Sequence, residues 1–137
     1  MSIELTVKTI RARFAAAWGV TTKVAYDDVP DKTIPPSPAA TWVRLNIVHV
    51  DGNQASIGSP GSNKFRRYGL ITAQIFSPQG KGSVDARKKA DLIIPIFQGV
   101  QNSGITYYDV HPREIGNDGA GWYQINVLSK FYYDEIA

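Results

Sequence analysis

The chain contains no cysteine. Disulfides, thiolate-bound zinc, iron–sulfur clusters and cysteine nucleophiles are therefore excluded. Histidine is scarce: there are 2, His49 and His111, with no HxH or HExxH spacing. No imidazole-based metal site or catalytic set can be read from that pattern. Nowhere does the chain approach the ~20 consecutive apolar residues that a membrane-spanning helix requires. The N-terminus lacks the apolar core of a secretory leader, because Glu4, Lys8, Arg11 and Arg13 interrupt it. A strong charge of one sign is also missing. With 15 Lys+Arg against 12 Asp+Glu the net charge is +3, below what a dedicated nucleic-acid binder usually carries.

Chemistry-bearing motifs are equally thin. Asp27, Asp28 and Asp31 form an acidic cluster, but no closing glutamate follows at the spacing of a calcium loop. Gly80, Gly82 and Ser83 open a helix after a strand, yet match neither GxxxxGK[ST] nor GxGxxG. No nucleophile elbow is present. We therefore expect no enzyme activity, no cofactor and no metal.

What the chain does have is core-forming material. A length of 137 residues suits one domain, 1–137, and 43% hydrophobic residues with 11% aromatics are enough for a packed interior. Residues 3–18 carry Ile3, Val7, Ile10, Phe14 and Ala17 on one helical stripe, with Ser2 as N-cap and Gly19 as stop. Residues 22–26 form a short strand. Residues 27–40, rich in Pro and Asp, form a long irregular connection.

Residues 40–50 alternate, with Val43, Leu45 and Ile47 facing the core and Trp42, Arg44 and Asn46 turned away. Trp42 is expected to be covered by the first helix or a neighbouring subunit. A flexible Gly/Ser-rich arm, 51–64, leads to the strand 65–76. Both faces of that strand are partly apolar, which predicts cover on two sides. A second helix opens at Ser83 and buries Ala86, Ala90, Ile93, Ile94 and Phe97. Pro95 should kink or break it before a last turn to Gln98. Two strands close the chain, 105–111 and 122–133. The fold class is α+β: a mostly antiparallel sheet packed against two helices, in the order α-β-β-β-α-β-β.

Two basic groups stand out. Lys64, Arg66 and Arg67 open the strand at 65–76, and Arg87, Lys88 and Lys89 lie one element later. Together they could converge on phosphate. Otherwise they form a solvated face with inter-subunit salt bridges.

Within 65–99, the RRYG opening, the apolar run LITAQIFSP, the QGKG turn and a helix with Ala86, Ala90 and Asp91 ending in IFQG resemble the phage tail terminator family. These are minor tail or tail-completion proteins of long-tailed phages. The element order follows the resemblance along almost the whole chain. It implies a homo-oligomeric ring, usually hexameric, in the tail or neck of a virion assembled in the host cytoplasm. Such a ring caps the tail tube, stops its polymerisation and docks with the head–tail connector. DNA passes through its lumen, and no membrane is involved. It further implies that the six basic residues line the lumen or bridge protomers. Asp27, Asp28, Asp31, Asp51, Asn53, Gln54 and Asn63 would then sit on loops that reach the neighbour, the tube protein or the connector. Another neck or head–tail joining role and a small nucleic-acid-binding module are the alternatives.

Overall fold

A computed structural model describes residues 2–27, 34–36, 39–80 and 83–137. Helix α1 (Ile3–Trp18) starts where the Ser2 hydroxyl accepts the Leu5 amide proton at 3.1 Å and ends at Gly19, whose amide donates to the Ala15 carbonyl. Its buried line is Thr6, Ile10, Phe14 and Trp18. The expected stripe is thus right at Ile10 and Phe14, whereas Ile3 is 56% exposed and Ala17 lies at the surface. The helix is turned so that the larger Trp18 goes inward. Thr6 is tolerated inside because its hydroxyl donates to the Ser2 carbonyl at 2.7 Å.

Six strands follow the order β1-β2-β3-β6-β5-β4 in one sheet, curled into a half-barrel. They are β1 (Lys23–Tyr26), β2 (Trp42–Gln54), β3 (Lys64–Pro78), β4 (Gln101–Asn102), β5 (Ile105–Asn117) and β6 (Trp122–Ile136), with helix α2 (Val84–Phe97) between β3 and β4. The sheet is mixed rather than simply antiparallel, because β1 runs parallel to β2. The order also gains a strand, α-β-β-β-α-β-β-β. Strand β4 is only a two-residue pairing, joined to β5 by Ser103 and Gly104 at φ 51 and 83. Positive φ at both positions marks the tight hairpin turn that glycine favours.

Three further expectations change. Strands β2 and β3 continue pairing down to Gln54↔Phe65, so the arm 51–64 shrinks to the loop 55–63. Strands β5 and β6 both run longer than expected. And α2 continues through Pro95 without a break. Proline there removes one donor to Asp91, in the last turn, while the Gln98 amide still reaches the Ile94 carbonyl at 2.9 Å.

Both helices pack on one face. Ile10 and Phe14 of α1 and Ala90, Ile93 and Phe97 of α2 join Val43, Leu45, Ile71, Ile75, Ile125, Val127 and Phe131 in a single core. The core-facing set expected for β2, Val43, Leu45 and Ile47, is buried. The expected cover of β3 on two sides does not hold: the face bearing Leu70, Thr72 and Gln74 is half-buried, and no helix of the described residues packs on it.

Candidate functional site

The two basic groups do not meet. Lys64 and Arg66 lie at the hairpin end of β3, on the face away from the helices. There Arg66 grips Asp134 through two hydrogen bonds of 2.9 and 3.1 Å, and Lys64 approaches the same carboxylate at 3.3 Å. The Arg66 guanidinium also sits 4.4 Å from the Tyr132 ring centroid. Hydrogen bonding from Arg66 holds the Asp134 carboxyl below its ordinary range. Arg67 points to the other face and pairs with Glu135 at 3.1 Å.

Arg87 pairs with Glu114 at 2.9 Å, and Lys89 with Asp85 at 3.4 Å. Asp85 is held low, first by a hydrogen bond from the Thr41 hydroxyl. Lys88 is exposed and makes no ion pair among the described residues. Glu114 stands opposite Ile125 and thus in line with Ile75 of β3, while Arg66 lies at the far end of that strand. At about 3.3 Å per residue, the two groups are roughly 30 Å apart. Five of the six expected contact residues are therefore occupied within the chain.

The expected interface loops divide as well. Asp27 accepts from Arg11 at 2.7 Å, fastening the end of β1 to α1. Asp28 and Asp31 lie outside the described residues. Asp51, Asn53 and Gln54 belong to β2, not to a loop. Asn63 is tied to Ala137 by reciprocal backbone hydrogen bonds of 2.9 and 2.8 Å, and its side chain accepts from the Ser59 amide at 3.0 Å. The loop 55–63 is thus braced at its base.

Neither histidine belongs to a polar cluster of catalytic type. His49 Nε2 and the Tyr133 hydroxyl are hydrogen-bonded at 2.8 Å, with Phe131 edge-on to the imidazole. Burial, aided by the Arg67 charge, pushes the His49 pKa down. His111 Nδ1 pairs with the Asp109 carbonyl at 2.9 Å. Among the described residues no group of three or more His, Asp or Glu side chains is placed to hold a metal. None of the described helices is long and apolar enough to cross a membrane.

The most distinctive surface is the sheet face opposite the helices. One end carries Trp42 stacked on Phe76 at 4.4 Å, with Trp122 edge-on at 6.2 Å and Arg44 over both stacked rings. Trp42 is therefore covered by its own sheet neighbours, in place of the first helix or a second subunit. At 5% exposure its indole Nε1 has no hydrogen-bond partner among the described residues.

Toward the other end Tyr68, Tyr132 and Tyr108 line up across β3, β6 and β5, with centroid spacings of 6.1 and 5.8 Å. Beside them runs a trough of about 440 Å³, lined by Val50, Tyr68, Leu70 and Tyr108, with Asp51 and Lys130 at its rim. Lys130 is paired with Asp109 at 3.3 Å. The Asp51 carboxylate accepts only the Gly52 amide and forms no ion pair among the described residues. Charge patterning in the sequence drew attention to the basic runs. The signal for this surface lay instead in the alternation of β3 and β6, which places Tyr68, Leu70, Leu128 and Tyr132 on the non-core side.

No family model matches the chain, and no curated protein matches it. The fold itself recurs, with 25 solved chains matching it. One of them overlays with a TM-score of 0.69 at 16% identity, covering 97% of this chain and 96% of its own. At that identity the likeness shows the fold alone.

Proposed function

We propose that this chain is a structural virion protein of a long-tailed phage or prophage. In this role it is a tail terminator that forms a ring on the head-proximal end of the tail tube, ends tube growth and offers the connector its docking surface. The observation that carries this reading is the aromatic sheet face on which no helix of the described residues packs. Trp42 and Phe76 are buried within this face, but Trp122, Tyr68, Tyr108 and Tyr132 stay part-exposed beside them, the aromatic composition typical of an interface core. The resemblance at residues 65–99 supplies the class of assembly.

Another neck or head–tail joining protein would use the same surfaces. The nucleic-acid module has less support, since Lys64, Arg66, Arg67, Arg87 and Lys89 all pair with carboxylates of the same chain, Lys64 and Arg66 sharing Asp134. Light scattering on purified protein tests the ring. The expected result is a discrete oligomer several times the 15.1 kDa chain mass, and a monomer at every concentration and salt counts against a preformed ring.

A further inference from the structure

We infer that neighbouring copies of this chain meet front to back, with the outer face of α2 of one copy seated in the open-face trough of the next. This contact presupposes the ring and specifies its interface. On α2, Val84, Lys88 and Leu92 follow one another at intervals of four residues and face away from the core. Val84 is 61% and Leu92 53% exposed, and they share one face of the helix. The trough offers the matching concavity: Val50, Tyr68, Leu70 and Tyr108 supply its apolar lining, and Asp51, Asn53 and Lys130 its polar side chains.

The charges match too. Lys88 on the helix and Asp51 at the trough rim are both exposed, and neither has an ion-pair partner among the described residues. The spacings agree as well. Lys88 lies one helical turn, about 5–6 Å, from Leu92. Asp51 stands directly opposite Tyr68 in the strand register, and such cross-strand neighbours are about 5 Å apart. A leucine set among the tyrosines would therefore carry its lysine to the carboxylate.

Helix α2 and the trough lie on opposite faces of the sheet, so the contact is heterologous. Such a contact does not stop at a dimer, and it closes into the ring presupposed here when its rotation divides a full turn evenly.

The absence of cysteine makes a direct test clean. Leu92→Cys and Val50→Cys are made as separate variants at exposed positions, mixed, and treated with a short bis-maleimide. A cross-linked pair in the mixture, and in neither variant alone, is the expected result. In parallel, Lys88→Glu and Asp51→Lys should each weaken assembly at least tenfold by light scattering, and the double reversal should restore it. If the wild-type chain is oligomeric but indifferent to both reversals and gives no mixed cross-link, this interface is wrong while the ring stands. If the wild-type chain is monomeric and never cross-links, both are wrong.

Discussion

Gly69 shows how closely single residues are fitted. It pairs with Phe131 across the strands, and the phenyl ring occupies the space a side chain would need. A Cβ there would fall 2.1 Å from Phe131 Cζ and 2.6 Å from the Val48 carbonyl oxygen. Gly69→Ala should therefore destabilise the protein by about 2–3 kcal/mol in urea unfolding. Combined with Phe131→Leu, the loss should be less than additive, because the two changes share one collision. Only partial relief is expected, since the Val48 carbonyl remains.

His49 sets a pH dependence. Its folded pKa lies below the ordinary 6.5, so the unfolded chain binds the proton more readily. The stabilisation is fully present above about 6.5 and is lost as pH falls through the folded value. Asp85 and Asp134, both held below 3.8, lose their contributions only in a separate, more acidic window. Urea midpoints measured against pH should fall in two stages, and His49→Gln should remove the upper one. A His49 imidazole titrating above 6.5 by NMR would contradict the downward shift that its partial burial imposes.

The elements show which features local pattern can reveal. Strand faces were legible because alternation has a period of two, which the buried set Val43, Leu45, Ile47 follows, with Trp42 buried on the opposite face by its aromatic neighbours. The helix stripe was legible only within a rotation: Thr6 and Trp18 look like surface and end residues until the sheet beneath them is known. Strand lengths were not legible past Val50. The segments 51–54 and 112–117 are exposed and polar, and they remain strands because β3 and β6 supply their hydrogen-bond partners. Nor could composition reveal that Lys64, Arg66 and Arg67 are matched by Asp134 and Glu135, far away in the chain and adjacent only through β3–β6 pairing.

That pairing carries its own expectation. Asp134 is the shared acceptor of Lys64 and Arg66, at a partly exposed site. Asp134→Asn should cost no more than about 1 kcal/mol, and less in high salt. Hydrogen exchange should quicken locally, at the amides of 51–56 and 64–68, while those of the central strands stay protected.

For the whole molecule, the sheet divides labour between its faces. The helical face contains the core that makes the chain fold. The opposite face holds a buried stack of indole and phenyl rings, a line of part-exposed tyrosines and a trough. A ring of copies would turn that face into buried interface. Because nearly every basic side chain near the hairpin and on α2 already has a carboxylate partner, weak binding to duplex DNA is expected even in low salt. Tight, steeply salt-dependent binding would favour the nucleic-acid module instead.

The most direct measurement is electron microscopy of phage particles assembled without this protein. Loss of a terminator should leave tails overlong and variable in length, unattached to heads. Tails of normal, uniform length joined to heads would contradict the role.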